Sequence, residues 1–180
     1  MFMFEPGETV VYRHHVCQVA ELLENYFEGK DYIRLDALFE NSLKLFVAQE
    51  NAVVPQVRYP LDAASCNALL DAFADTPLLD EDALLQDAST PTLAERRMKE
   101  EYERRLKASG LDELVPIVKT IARHAELRES AGRRLTATDK KYYEIAQRLL
   151  CDEVSVSLSM PRESVDDYLS ERIGLASKIS

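Results

Sequence analysis

The spacing of apolar residues in this 180-residue chain changes once, near Pro60, and that change limits the fold more than any single motif. Before it, apolar and β-branched residues come in short runs: Thr9–Tyr12, Val16–Leu23, Tyr32–Leu35, Leu43–Val47, and Ala52–Val57, the last broken by Pro55. Such side chains suit a pleated surface, and the alternation in Tyr32-Ile33-Arg34-Leu35 predicts one buried and one solvated face. Glu28-Gly29-Lys30 supplies a turn. Several short strands in such a span predict a small β-barrel or curled sheet. Pro55 has no N–H to donate, so its run lies at an edge or ends there.

After Pro60 the period is helical. Leu61, Leu69, Leu70 and Phe73 fit a short helix. Asp75–Ser89 follows, with Pro77, five acidic residues (Asp75, Asp80, Glu81, Asp82, Asp87) and no basic one, which predicts a weakly structured connector. Thr92 with Glu95 predicts a capping box for a helix to about Ala108, stopped by Ser109-Gly110. A second helix after Asp112 carries Leu114, Val118, Ile121, Ala122 and Ala125 on one face, with Pro116 tolerable only near its first turn. Gly132 marks a turn, and Thr136 with Asp139 resembles another capping box. The third helix points Tyr142, Tyr143, Ala146, Leu149, Leu150 and Val154 at a core. Pro161 precedes a last helix with Val165, Leu169 and Ile173 four apart, ended by Gly174. The expected fold class is therefore α+β: a β module over 1–60, a short helix and acidic linker over 61–90, and an all-α helical bundle over 91–180.

Charge is segregated along the chain. The net charge is −10, yet residues 94–150 hold 14 of the 22 Lys and Arg, and residues 60–93 hold none. A polyanion would be attracted to the basic block alone and repelled elsewhere. No uncharged apolar run approaches the roughly 20 residues of a membrane-spanning helix, so no membrane partner is expected. The start, MFMFEPGETVVY, lacks a basic n-region and meets Glu5 early, unlike a signal peptide. Cys17, Cys66 and Cys151 are scattered and odd in number, which reads as reduced thiols in a cytoplasmic protein.

No catalytic constellation stands out, and a binding module is expected in place of an enzyme. Five dispersed glycines cannot build a phosphate loop. The pair His14-His15 has no Cys or carboxylate cluster at ligand spacing, so neither a metal site nor a cofactor is expected. Cys17 reads as a small hydrophobe in a strand, with His15 in a turn. The basic residues form two tracts: Arg96-Arg97, Lys99, Arg104-Arg105 and Lys107, then Arg133-Arg134 and Lys140-Lys141. Helices packed side by side would join these into one phosphate-binding surface. Glu95, Glu100, Glu101 and Glu103 interleave the first tract and would neutralise part of it.

Phe4, Gly7-Glu8-Thr9-Val10-Val11-Tyr12 and His14-His15 match an opening F-x-x-G-D-x-V-V-Y-x-x-H-G. Gly29, Tyr32, Leu35, Glu50-Asn51-Ala52 and Val57-Arg58 continue it, then Arg96-Arg97, Lys99, Ala108-Ser109-Gly110, Leu135-Thr136 and Lys140-Lys141. In this order and spacing, from Phe4 to about Val156, the chain resembles the CarD/CdnL-like bacterial transcription regulators. The resemblance implies a Tudor-like β domain docking on the RNA polymerase β subunit, and a helical domain touching promoter DNA at the upstream edge of the bubble. The stretch matching the polymerase-facing strand is Leu43-Lys44-Leu45-Phe46, with Tyr26 and Phe27 nearby. Strand edges bind partners by β-augmentation, and neighbours such as Leu45 and Phe46 face opposite ways.

The implied polymerase contacts are Tyr26, Lys44, Leu45 and Phe46. The implied DNA contacts are Arg96, Arg97, Lys99, Arg104, Arg133, Lys140 and Lys141. The chain departs from the family at Val16, where a glycine is usual, and near Ala94, where many members carry a wedge tryptophan. Without that wedge, phosphate contacts alone remain, making DNA the weaker, sequence-independent partner. An adaptor that binds protein without touching DNA is the alternative reading.

Overall fold

The computed structural model describes residues 2–51, 56–108 and 110–180. The architecture is α+β. Strands β1 (Thr9–Tyr12), β2 (His15–Phe27), β3 (Lys30–Ala37), β4 (Lys44–Ala48) and β5 (Val57–Arg58) form one antiparallel sheet in the order β4-β3-β2-β1-β5. Among the described residues β4 and β5 do not pair with each other, so the sheet is open, not a closed barrel. Of the run predicted at Ala52–Val57, residues 52–55 lie outside the described residues, and Val57-Arg58 pairs with β1 as an edge.

One face of the sheet is packed. Val10, Cys17, Val19, Ile33, Leu35, Val47 and Val57 meet there with Phe4. Burial pushes the Cys17 thiol up to about 12, so it behaves as a small hydrophobe. β2 runs past Leu23 to Phe27 because register shifts after Val19 and Leu23 absorb extra residues. His15 is a strand residue paired with Tyr12, and the turn is made by Arg13-His14 instead. Both turn residues have positive φ, 49° and 69°, as a two-residue hairpin requires. Neither is glycine, so the turn is strained and needs outside support.

That support comes from the helices α1 (Ala63–Asp71), α2 (Glu81–Leu85), α3 (Pro91–Lys107), α4 (Leu114–Ser130), α5 (Ala137–Ser157) and α6 (Arg162–Ile173). The cap of α3 is Thr90, not Thr92, because Pro91 takes the first helical position, where no N–H is needed. Thr136 caps α5 by accepting from the Asp139 N–H. Tyr102, Leu114, Ile117, Ile121, Tyr143, Leu150 and Leu169 fill the helical core. The acidic connector is more ordered than its composition predicts. Leu79 is buried, its N–H donates to the Thr120 hydroxyl at 2.9 Å, and α2 forms within it. No helix among the described residues is long and apolar enough to cross a membrane.

Sheet and helices are joined by buried charge. Glu153 on α5 has no exposed surface, and it accepts both arms of Arg58 from β5 at 2.7 and 2.8 Å. Its Oε1 also accepts the Leu61 N–H at 3.1 Å. Nearby, Glu40 accepts from Arg148 on α5 at 2.6 Å and meets His15 at 3.1 Å. Val11 and Val16, on the sheet face opposite the core, are buried at this junction. A buried ion pair is costly to break from one side, because the remaining charge has no water and no partner. Arg58→Met is expected to lower stability by about 3 kcal/mol in urea unfolding, and adding Glu153→Met to recover most of that loss. Equal damage from the single and double variants would contradict the stranded-charge account.

Candidate partner-binding face

The unpacked face of the sheet ends in an aromatic cluster beside the outer edge of β4, which has no strand partner among the described residues. Antiparallel register places Phe46 opposite Arg34, and Arg34 opposite Glu21, on the solvent side. Tyr26 and Phe46 stack with centroids 5.6 Å apart and planes within 5°. Tyr32 meets Tyr26 edge-on at 5.7 Å and Phe27 at 6.4 Å. These rings touch one another yet stay open to solvent, Tyr26 at 54% and Phe46 at 47% exposure. Leu45 points the other way and packs against the core of the sheet. Its side chain is thus structural, and its contribution to any partner comes through backbone. Lys44 is exposed opposite Asp36.

β4 is an outer strand, so one row of its N–H and C=O groups lacks a strand partner among the described residues. An edge carrying stacked aromatics offers backbone hydrogen bonds and side-chain pockets together, which is what strand addition needs. Arg34 is tied to Glu21 at 2.8 Å and Asp36 at 3.3 Å, which sets a charged border to the aromatic patch. Sequence reasoning brought Tyr26, Phe27 and Phe46 together but missed Tyr32. Its signal was the polar alternation of β3, which puts Tyr32, Arg34 and Asp36 on the solvent side.

The basic residues do not form one surface. On α3, Arg96 pairs with Glu100 at 3.6 Å, Lys99 with Glu103 at 3.8 Å, and Arg104 with Glu101 at 2.7 Å. Hydrogen bonds from Arg104, then Arg105, hold the Glu101 carboxyl below its ordinary value despite partial burial. Arg97 is half-buried and donates to the Leu84 carbonyl at 3.2 Å, pinning α2 to α3. Lys141 lies over the Tyr142 ring at 5.5 Å, and the Tyr142 hydroxyl donates to Glu103. Lys140 is exposed with no ion-pair partner among the described residues. Arg133 lines a groove between α4 and the carboxyl-terminal segment, and none of the other six predicted contacts lines that groove.

Two histidines that carried no role in the sequence reading sit in buried networks. The His14 Nε2–H donates to the Arg105 carbonyl at 3.3 Å, plugging the hairpin tip against the end of α3. Burial lowers its pKa, and its Nδ1 has no partner among the described residues. His124 on α4 meets Asp139 through Nδ1 at 2.7 Å and Glu81 through Nε2. Asp139 also accepts from the buried Tyr102 hydroxyl at 2.8 Å. Only an imidazolium can donate from both nitrogens, so this pair of carboxylates holds His124 charged. Among the described residues no group of three His, Cys, Asp or Glu side chains is placed to hold a metal ion. No protein-family model matches this chain, and no curated protein matches it in sequence.

The hydrogen bond to Asp139 raises the His124 pKa above its usual 6.5, outweighing burial. A group that binds its proton more tightly when folded contributes fully below its unfolded pKa, and that contribution is lost as pH rises through the folded value. Urea midpoints of the wild type and His124→Gln should differ most at about pH 5.5, below the free imidazole value, and converge as the pH is raised through the folded value. A gap independent of pH would show that His124 is not held as the cation.

Proposed function

We propose that this protein is a transcription regulator that docks on the RNA polymerase β subunit through β4 and its aromatic face. The observation that carries the reading is the Tyr26–Phe46 stack, solvent-exposed beside an unpaired strand edge. Exposed aromatics favour a partner, since covering them removes apolar surface from water at about 25 cal/mol per Å². The order of motifs resembling the CarD/CdnL-like regulators names that partner and suggests a Tudor-like relationship for the open sheet. In this reading Tyr26 and Phe46 make side-chain contacts, Lys44 meets acidic groups at the rim, and Leu45 contributes backbone. The site of action is cytoplasmic, with the polymerase.

The helical part then lies near promoter DNA and contacts phosphate without reading sequence. Lys140 and Lys141 are its foremost cations, because their ammonium groups hold no carboxylate among the described residues. Arg96, Lys99 and Arg104 exchange exposed intrahelical pairs, worth at most about 1 kcal/mol each, for phosphates. Those same pairs favour a second reading, docking on polymerase with no DNA contact, because they neutralise α3 in a chain of net charge −10.

Two measurements on the full chain separate these outcomes. The purified protein should retain the polymerase β subunit, and Phe46→Glu should weaken retention at least tenfold while leaving the urea midpoint unchanged, since Phe46 lies outside the core. Retention unaffected by Phe46→Glu would overturn docking through this face. DNA affinity should fall steeply with salt, and Lys140→Glu with Lys141→Glu should flatten that dependence. Negligible DNA binding at low salt selects the adaptor.

A further inference from the structure

The groove that receives Arg133 has the composition of a ligand site. It encloses about 690 Å³, within the range of small-molecule sites, between α4, the turn from α4 to α5, and the segment after α6. Its floor is apolar, with Phe73, Val118, Ala122 and Ile179, and Leu78 at its edge is left 45% exposed. The Tyr143 hydroxyl donates to the Ala176 carbonyl at 2.5 Å, which holds the carboxyl-terminal segment as one wall.

Charge on the rim is lopsided. Of the basic groups lining the groove, Lys119 is held by the carbonyls of Phe73, Ala74 and Thr76, and Arg123 is paired with Glu126 at 3.3 Å. Arg133, Arg134 and Lys178 have no ion-pair or side-chain hydrogen-bond partner among the described residues, and Glu129 and the main-chain carboxylate of Ser180 are the remaining acidic groups of the lining. In a chain of net charge −10, three unpaired cations against these two acidic groups leave the lining of one apolar groove a positive surplus that an anion from outside would meet. Guanidinium forks suit a carboxylate, and the apolar floor suits a hydrocarbon chain behind it.

We propose that this groove binds an anionic amphiphile, a fatty carboxylate whose head meets Arg133 and Arg134 and whose chain lies over Leu78, Ala122 and Ile179. The volume is that of a single small molecule. This site is independent of docking through β4.

Decanoate is the probe, titrated calorimetrically into the full chain, with decanol as the uncharged analogue and hexanoate as the short one. Decanoate should bind at least tenfold more tightly than either. The double variant Arg133→Ala, Arg134→Ala should lose at least tenfold in affinity, since both side chains are exposed and outside the core. Methyl NMR shifts should move at Leu78 and Ile179. Absence of decanoate binding, equal binding of decanol, indifference to the double variant, or shifts confined to other methyls would each overturn the proposal. Phe46→Glu should leave decanoate affinity unchanged, so failure of the docking reading does not affect this result.

Discussion

The carboxylate of Glu153, sealed inside α5 and met by Arg58, is the interaction on which the arrangement of the molecule depends. A buried charge tolerates very few geometries, because each acceptor site left empty leaves desolvation uncompensated. Glu153 therefore fixes β5 and the chain at Leu61 together. Among the described residues β5 pairs with β1 alone, so the pin also sets which end of the sheet the helices cover. Val11, Val16 and His14 lie under the helices at that end. At the opposite end the outer edge of β4 and the stacked rings of Tyr26 and Phe46 face solvent. The open face thus follows from where the sheet is anchored, as much as from the residues that line it.

The hairpin tip shows the same coupling on a smaller scale. Arg13 and His14 occupy left-handed backbone where glycine or asparagine is usual. Such strain, of order 1–3 kcal/mol per residue, persists only where surroundings over-determine it. Here the surroundings are the end of α3, whose Arg105 carbonyl accepts from the buried imidazole. The same carbonyl also accepts the Ala108 N–H at 3.1 Å, so the imidazole adds a second bond at the end of α3. The strained turn is therefore braced across the junction by the end of α3.

Much of this was legible in the sequence, and the misses have physical causes. Period changes place the strands and helices because burial on one face imposes its own repeat, as Ile33 and Leu35 or Val165 and Leu169 show. Gly174 ends α6 at φ 69°, where a left-handed cap is needed. The cap of α3 was misplaced by two residues because Thr90 and Thr92 are alike in type, and Pro91 between them decides the matter. His14 and His124 were passed over because their roles come from partners 91 and 15 residues away, which no local window contains. The acidic connector was read as loose because composition records its charges but not Leu79, Thr120 and Arg97, which hold it. For the candidate face, Tyr26 and Phe46 were found through family-like order. Only three-dimensional register shows that Phe46 is free while Leu45 is packed.

The distribution of cations bears on how a protein of this charge would reach nucleic acid. Long-range repulsion from an acidic chain opposes approach to DNA, over distances of about 8–10 Å at physiological salt. Under the proposed function, local contacts by Lys140 and Lys141 would act only after that barrier is crossed. Docking on polymerase by the sheet would supply the crossing, since a tethered helical part meets DNA at an effective concentration set by geometry and not by its own affinity. The helices are joined to the sheet by the Arg58–Glu153 pair and not by a free linker, so little orientational freedom remains to be lost on contact. Under the same proposal, the neutralised α3 cations would limit binding to DNA in the absence of polymerase, and leave the protein to be directed by its protein partner.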